Sequence, residues 1–146
     1  QGDEPLVDPA DIKKCIEYKK KFPEKIINGF TFLNKKEDPN NVNIPKLVTN
    51  KKNELIYMSR KAIPGYKSNK NKPIVYKKQV CIYGFHKKDL IDFKAHGKSK
   101  IENYEDIEIL RFFELNKQIQ MFECISPTIA VDVPEDIEIV ENFLKK

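Results

Sequence analysis

The positions of the apolar residues predict a helix near the start of the chain. Apolar side chains and one tyrosine are spaced to share a single helical face: Ile12, Cys15, Ile16 and Tyr18. Asp8 is a good N-cap residue, Pro9 suits the first helical position, and Asp11 favours the positive end of a helix. We therefore predict a helix from Pro9 to Lys21, which Pro23 ends.

Stretches of continuous apolar and β-forming residues predict the strands. The stretch from Lys25 to Leu33 reads as a buried strand. Two short β-rich runs, Pro45–Thr49 and Glu54–Met58, flank a polar loop, and this arrangement predicts a hairpin. Further strands are predicted at Ile74–Phe85, Gln118–Cys124 and Thr128–Val131.

Helical spacing returns in the second half of the chain. A short helix is predicted from Lys88 to His96, closed by Gly97 as the residue after its last turn. Apolar residues that recur at every third position predict one strong helix over Ile101–Leu115. A last helix is predicted over Pro134–Leu144, and its apolar face comprises Ile137, Val140, Phe143 and Leu144.

Because strands alternate with helices, the predicted class is α/β, with a mixed, mostly parallel sheet flanked by helices. Ligands of such sheets bind beyond the carboxyl ends of the strands. Two turns rich in carboxylates, Gln1–Pro5 and Ala130–Asp136, lie where that rule places a site. We hypothesise that Asp3 and Asp132 share one Mg²⁺, which prefers carboxylate and water oxygens. The alternative is that each aspartate is only a turn residue or a helix N-cap.

Composition narrows the class of protein. A chain of 146 residues, 40% of them hydrophobic, is expected to form a single domain with a real core. Three cysteines at spacings that match no zinc site suggest reduced thiols, and hence a cytoplasmic protein. The sequence contains no apolar run of about 18 residues, so no membrane span is predicted. The polar start of the chain argues against a signal peptide.

The net charge of +5 is a weak indication of nucleic-acid binding. Of the 27 basic residues, only Arg60 and Arg111 are arginine, and arginine is the residue that recognises phosphate and guanine with two hydrogen bonds. Scattered lysines are more typical of a solvated surface. We expect no nucleic-acid partner, although a basic binding or assembly module stays open as an alternative.

Five short motifs occur along the chain in a fixed order. They are Gln1-Gly2-Asp3-Glu4-Pro5, Ser59-Arg60-Xaa-Xaa-Ile63-Pro64, Ile82-Tyr83-Gly84, Glu105-Xaa-Xaa-Glu108-Xaa-Leu110-Arg111 and Val131-Asp132-Xaa-Pro134-Glu135-Asp136. Each motif is short, but together, and in this order, the chain resembles the CMP-Kdo synthetases. These enzymes are 3-deoxy-manno-octulosonate cytidylyltransferases, related to the CMP-sialate synthetases.

The resemblance implies a Rossmann-like nucleotidyltransferase fold and a specific reaction. The anomeric hydroxyl of a 3-deoxy-2-keto acid sugar attacks the α-phosphate of CTP, pyrophosphate leaves, and the CMP-sugar serves lipopolysaccharide or capsule synthesis. By matching motif, Asp3 and Asp132 resemble the catalytic Mg²⁺-binding aspartates. Substrate-binding roles at the sugar are implied for four residues: Gln1, Arg60, Tyr83 and Glu105. Relatives in this family are often homodimers, so a homodimer is expected.

Three positions depart from the common family pattern. Gln79 stands where histidine is usual, Phe85 where tyrosine is usual, and Ile109 where glutamine is usual. The resemblance places these positions near the sugar, so a capsule-type enzyme acting on a related acid sugar, or on a nonulosonic acid such as sialate, stays open. Arg111 is expected to stabilise its own helix.

The basic loop with which the family holds the nucleotide is not found in this sequence. We therefore expect residues 1–146 to be a partial cytidylyltransferase domain that carries the sugar and metal portion of the site. The strand, loop and helix that bind the nucleotide are expected to be missing, and the chain alone is expected to have little activity.

Overall fold

A computed structural model of the chain describes residues 5–125, 131 and 134–145. Its strands are β1 (Ile26–Phe32), β2 (Lys46–Thr49), β3 (Leu55–Ser59), β4 (Lys77–Gly84) and β5 (Ile119–Glu123). Its helices are α1 (Pro9–Lys21), α2 (Lys87–His96), α3 (Lys100–Glu105), α4 (Arg111–Glu114) and α5 (Pro134–Leu144), with 3₁₀ turns at Asn69–Asn71 and Glu108–Leu110.

The five strands form one mixed sheet in the order β3-β2-β4-β1-β5. The α/β class and the mixed sheet are therefore confirmed. The prediction that the sheet is mostly parallel is wrong for the described strands, because only β1 and β5 pair in parallel. Parallel neighbours need a long crossover, usually helical. Here a hairpin, not a helix, lies between β1 and β4, and β4 runs antiparallel to β1.

The two edges of the sheet meet at the tip of the β2–β3 hairpin. Glu54 forms an antiparallel bridge with Gln120 of β5, and the Met121 amide donates to the Asn53 carbonyl at 2.8 Å. The Gln120 side chain is buried and donates to the carbonyls of Lys52 and Asn53 at 2.8 and 3.2 Å. The sheet therefore curls around the apolar side chains on its inner face.

Helix α1 begins as the sequence predicts. Asp8 is its N-cap and accepts a hydrogen bond from the Ala10 amide at 2.7 Å. Asp11 is buried rather than exposed, and it accepts from the Ile125 amide at 3.0 Å. This contact ties the first turn of α1 to the end of β5.

The core has two parts, one on each face of the sheet. On the inner face, side chains of the strands pack against the segment between α3 and α4; this cluster comprises Ile26, Phe30, Leu47, Leu55, Met58, Ile107, Ile109, Leu110, Phe112, Ile119 and Met121. On the outer face, Cys15 of α1 packs with Ile27, Val80, Phe122 and Cys124. The sheet is thus buried on its inner face, and on its outer face where α1 covers β1, β4 and β5.

The predicted helix over Ile101–Leu115 is wrong, because the chain breaks there into two helices. Helix α3 ends at Glu105, Asp106 adopts a left-handed conformation with φ 50°, and Ile107 is extended. The break lets Ile107, Ile109 and Leu110 all reach the core, although these residues do not lie on a single face of a continuous helix.

The remaining predicted elements agree with the structure where it describes them. Helix α2 ends at His96 and is followed by its cap residue Gly97, whose φ is 72°, and the hairpin, β5 and α5 are present. Most of the predicted strand 128–131 lies outside the described residues. Of the residues that the structure describes, no helix has both the length and the apolar composition that a bilayer span requires.

Glu102 is almost fully buried, with 1% of its surface exposed, and it is held by Arg111. The Arg111 Nε and Nη2 atoms donate to its two carboxylate oxygens at 2.7 and 2.6 Å, and Nη1 donates to the Phe93 carbonyl at 2.9 Å. Arg111 therefore joins three helices instead of stabilising only its own. These hydrogen bonds from Arg111 are the main reason that the pKa of Glu102 lies below its ordinary value.

We predict that Gly29→Ala destabilises the protein by about 1–3 kcal/mol. A Cβ at this position would lie 2.7 Å from Cys124 Sγ and 3.2 Å from Val80 Cβ. Urea unfolding measures the change, and Gly65→Ala is the control, because a Cβ at Gly65 meets no atom within 4 Å. If Cys124 Sγ is the obstacle, Gly29→Ala with Cys124→Ala costs less than the sum of the two single changes; simple additivity would contradict this interpretation.

We predict that Arg111→Met costs about 3–5 kcal/mol at neutral pH, because it leaves the Glu102 carboxylate buried and unpaired. Since the pair lowers the Glu102 pKa below 4.5, its contribution is complete above that value and is lost as the pH falls through the lowered pKa. Urea unfolding of both proteins at neutral and acidic pH should therefore show the difference shrinking in acid.

The control for this change is Lys98→Met, because Lys98 pairs with the exposed Asp106 at 3.5 Å. Its removal should cost less than about 1 kcal/mol. If the free energy of unfolding differs between wild type and Arg111→Met by the same amount at both pH values, the charge of Glu102 is not the cause of the destabilisation.

Candidate active site

Arg60 follows β3 and is held by backbone carbonyls of two other segments. Its Nε donates to the Glu105 carbonyl at 2.6 Å, its Nη2 to the Asp106 carbonyl at 2.7 Å, and its Nη1 to the Val42 carbonyl at 2.9 Å. A cation is favourable at this position because the carbonyls of Glu105 and Asp106 end α3. The side chain is still 32% exposed, and its Nη2 also lies 3.9 Å from the exposed Asp106 carboxylate. Two of its five N–H groups lie outside the three hydrogen bonds to carbonyls.

The Glu105 carboxylate completes a reciprocal contact with Arg60. One of its oxygens accepts from the Arg60 backbone amide at 2.9 Å, and the other accepts from the Tyr57 hydroxyl at 3.2 Å. Burial, and secondarily the charge and hydrogen bond of Glu105, raise the pKa of Tyr57. We call the Arg60, Glu105 and Tyr57 contacts the Arg60 clasp; it joins the end of β3 to the end of α3.

A buried lysine, Lys46, also hydrogen-bonds to the backbone of Arg60. Lys46 is 0% exposed, and its ammonium donates to the Asn41 carbonyl at 2.7 Å and to the Arg60 carbonyl. Burial, followed by repulsion from Arg60, lowers its pKa. Lys46 is not predicted as a site residue, since a lysine in a short strand carries no distinctive signal in the sequence.

Tyr83 lies near the carboxyl end of β4, on a stack of aromatic rings. Its ring lies 5.7 Å from that of Phe85, which in turn lies 5.5 Å from Phe112. The Tyr83 hydroxyl accepts a hydrogen bond from Gln79 Nε2 at 3.2 Å. Tyr83 also lines a groove of about 450 Å³ between α1 and the end of β4, with Ile12, Cys15, Ile16, Lys19, Lys20, Pro23, Ile82, Gly84, Phe85 and His86.

The structure brings some of the predicted site residues together. Arg60 and Glu105 are in direct contact, and Tyr83 packs against the same inner core cluster as Tyr57 of the clasp. Three further residues predicted at the site, Gln1, Asp3 and Asp132, lie outside the described residues. Within the described ranges no group of three or more His, Cys, Asp or Glu side chains is arranged to hold a metal ion, and Asp3 and Asp132 lie outside those ranges.

The structure also gives physical reasons for the three departures in sequence. Ile109 is buried in the inner core cluster, where an apolar side chain is favoured. Phe85 stacks between Tyr83 and Phe112. Gln79 makes the polar contact with Tyr83 and donates as well to Asn28 Oδ1 at 3.2 Å.

Comparison with known proteins shows what this arrangement is similar to. A model of the family described as Cytidylyltransferase matches residues 1–119. A 3-deoxy-manno-octulosonate cytidylyltransferase of Christiangramia forsetii is 33% identical over 99% of this chain, and one of Fusobacterium nucleatum is 35% identical over 100% of it. An 8-amino-3,8-dideoxy-manno-octulosonate cytidylyltransferase of Shewanella baltica is 33% identical over 99% of the chain.

A solved structure of CMP:2-keto-3-deoxy-manno-octonic acid synthetase in complex with CTP has the same fold. It superposes with a TM-score of 0.86 at 27% identity, over 99% of this chain and 59% of that one. The chain likewise spans 59% of the length of the Christiangramia and Fusobacterium relatives. The resemblance read from the five motifs is thus confirmed.

We predict that Glu105→Ala loosens the Arg60 clasp, whereas Glu105→Gln largely keeps it. A glutamine oxygen can still accept from the Arg60 amide, and its NH₂ can donate to the Tyr57 oxygen. Loss of both acceptors in alanine should cost about 1–3 kcal/mol, as measured by urea unfolding. Equal destabilisation by both changes would show that the charge of Glu105, and not its hydrogen bonds, holds the clasp.

Proposed function

Because the chain belongs to the cytidylyltransferase family, we propose that it is the acid-sugar and metal portion of an enzyme that makes a CMP-sugar. In the proposed reaction, the anomeric hydroxyl of a 3-deoxy-2-keto acid sugar, Kdo or a close analogue, attacks the α-phosphorus of CTP. The bond from that phosphorus to the β-phosphate oxygen breaks, pyrophosphate leaves, and the hydroxyl loses its proton.

The main support for this proposal is that the whole chain is similar to proteins named for cytidylyl transfer to such a sugar. The relatives named 3-deoxy-manno-octulosonate cytidylyltransferase match 99% or more of this chain. Since the chain spans 59% of their length, the activity is proposed for the full-length natural protein. CTP, as in the complex of the structural neighbour, is the proposed nucleotide substrate.

We assign the carboxylate of the acid sugar to Arg60. The two N–H groups of Arg60 that do not donate to the three carbonyls can bind both oxygens of a carboxylate, a geometry that guanidinium groups favour. Because three carbonyls already fix the guanidinium, little side-chain entropy is lost when the sugar binds. Glu105 then acts by holding Arg60, while Gln1 and Tyr83 are the proposed polar contacts to the rest of the sugar.

Asp3 and Asp132 are the proposed ligands of Mg²⁺. Their two carboxylates fit the ion chemically, because Mg²⁺ takes oxygen ligands and usually keeps several waters. When bound, the ion neutralises charge on the phosphates of CTP and on the leaving pyrophosphate. The part of this chain in the reaction is to hold the sugar so that its hydroxyl faces the α-phosphorus.

The setting of the enzyme is also part of the proposal. A cytoplasmic homodimer that supplies lipopolysaccharide or capsule synthesis fits the relatives' substrates. The segment between β3 and β4 is the proposed dimer surface, since it exposes three large hydrophobic side chains: Tyr66, Ile74 and Val75.

A second candidate substrate class is an acid sugar with a modified end, since a similar protein is named for the 8-amino sugar. A sialate-type nonulosonic acid is a further alternative. A basic binding module is less favoured, because several lysines stabilise the fold: Lys25 pairs with Glu54 at 2.7 Å, Lys117 with Asp89 at 3.2 Å, and Lys78 with Glu37.

The test is pyrophosphate release from CTP by the full-length protein across a panel of acid sugars. We expect turnover with a 3-deoxy-2-keto octulosonate that requires Mg²⁺. We also expect Asp3→Asn and Asp132→Asn each to lower kcat by 10²-fold or more, roughly the loss when charge stabilisation in a transition state is removed.

The matched control is Asp38→Asn in an exposed loop, where an asparagine oxygen can still accept from the Asn40 amide, as Asp38 does at 2.9 Å. This change should leave turnover at the wild-type level. Absence of pyrophosphate release with every acid sugar, or turnover that survives both aspartate changes, would refute the proposed function. Salt-sensitive binding to RNA or DNA would then favour the basic module.

A further inference from the structure

Lys46 is a buried charge that no step of the proposed reaction uses. It lies in β2 and is fully buried. Burial lowers its pKa, and the repulsion by Arg60 outweighs the attraction by either Asp38 or Glu105. An uncharged side chain of similar length, such as methionine, would occupy the same space without the free-energy cost of burying a charge. The presence of a lysine here therefore points to its hydrogen bonds rather than to ion pairing.

The Lys46 ammonium joins two segments that both hold Arg60. It donates to the Asn41 carbonyl at 2.7 Å and to the carbonyl of Arg60 itself. An ammonium group has three N–H donors, so one lysine can bind both carbonyls at once. Asn41 directly precedes Val42, whose carbonyl accepts from Arg60 Nη1 at 2.9 Å. Lys46 therefore ties the loop before β2 to the residue that follows β3.

Lys46 and Glu105 divide the task of holding Arg60. Glu105 accepts from the Arg60 backbone amide at 2.9 Å, and Lys46 donates to the backbone carbonyl of the same residue. At the guanidinium, the carbonyls of Glu105 and Asp106 bind Nε and Nη2, and the Val42 carbonyl binds Nη1. The hydrogen bonds of Lys46 link the Val42 segment to the Arg60 backbone, a connection that the Glu105 carboxylate does not make.

We propose that Lys46 is a positioning residue for the acid sugar, because it holds the Val42 carbonyl and the Arg60 backbone in the arrangement that orients the guanidinium. This inference rests on the proposed function, since it takes the sugar carboxylate as the ligand of Arg60. Lys46 acts without contacting the sugar. When a long side chain has to be ordered as its ligand binds, the affinity falls about two- to twelvefold.

The test is Lys46→Met in the full-length protein, because methionine has a similar length and no N–H donor. Arg60 then has to be ordered at the moment the sugar binds. We expect the KM for the acid sugar to rise about three- to tenfold, with the KM for CTP and kcat unchanged. A direct titration of the acid sugar against the protein should show the same loss of affinity.

The matched control is Lys77→Met, which removes another lysine whose pKa is lowered by burial. Its ammonium donates to Thr49 Oγ1 at 2.7 Å and lies 4.3 Å from the centre of the Phe30 ring, so it holds no part of Arg60. This change should lower stability and leave the KM for the sugar unchanged. An equal rise in that KM would show that losing any buried lysine weakens sugar binding, and would overturn the proposal.

A second variant, Lys46→Gln, is for use if Lys46→Met does not fold. The glutamine NH₂ group can still donate to a carbonyl, but the side chain is shorter than lysine and uncharged. It should raise the KM for the sugar about two- to fivefold. A KM at the wild-type level in a folded Lys46→Gln protein would overturn the proposal in that case.

A double-mutant cycle separates positioning from an effect of the charge alone. Arg60→Lys keeps the charge at the site but removes the planar group that the three carbonyls orient. In a protein that carries Arg60→Lys, adding Lys46→Met should weaken sugar binding by less than about twofold in a direct titration. If Lys46→Met weakens binding equally with and without Arg60→Lys, the positioning role is overturned.

A crystal structure of the full-length Lys46→Met protein gives a readout that does not depend on activity. We expect Arg60 Nη1 to lose its hydrogen bond to the Val42 carbonyl, and retention of all three carbonyl contacts would overturn the positioning role. If wild type is active but Lys46→Met leaves the KM for the sugar unchanged, the positioning role fails and the proposed function stands. If wild type transfers CMP to no acid sugar, both are overturned.

Discussion

The candidate site depends on one contact, the reciprocal hydrogen bonds between Arg60 and Glu105. The Glu105 carboxylate fixes the backbone of Arg60 at 2.9 Å, and the Arg60 guanidinium binds the carbonyls at the end of α3 at 2.6 and 2.7 Å. The clasp joins segments that are distant in sequence, and it holds a partly exposed guanidinium in one orientation. The break after α3 is what brings these carbonyls to Arg60.

Three of the buried polar side chains on the strands donate to backbone carbonyls at irregular or loop segments. Asn28 binds two carbonyls at the irregularity in β1, Lys46 binds the carbonyls of Asn41 and Arg60, and Gln120 binds the tip of the hairpin. An unpaired buried carbonyl would cost about 1–3 kcal/mol. These side chains therefore fix the irregular part of β4, the segments before β2 and after β3, and the tip of the hairpin.

Local chemistry in the sequence predicted most elements of the fold. Asp8, Pro9 and Gly97 mark helix ends by side-chain and backbone rules that act within a few residues. The break at Asp106 could not be predicted in that way, because the spacing around it fits a helix and only packing against the sheet favours the break. Strand direction was also missed, since it depends on how distant strands pair.

The site residues are predictions from the resemblance, and the structure shows how two of them contact each other. Arg60 and Glu105 were both expected at the sugar, but in the structure Glu105 holds Arg60. The hydrogen bonds from Gln79 to Asn28 and to Tyr83 correspond to no sequence motif, because they connect residues on two strands.

The central claim is that the carboxylate of the acid sugar binds the clasped Arg60. It is tested most directly by a crystal structure of the full-length protein with CTP and a 3-deoxy-2-keto octulosonate. We predict that both carboxylate oxygens lie within hydrogen-bond distance of Arg60 Nη1 and Nη2, with the bonds to the carbonyls of Val42, Glu105 and Asp106 intact. A carboxylate bound elsewhere, or an Arg60 side chain that leaves those carbonyls to reach it, would contradict the claim.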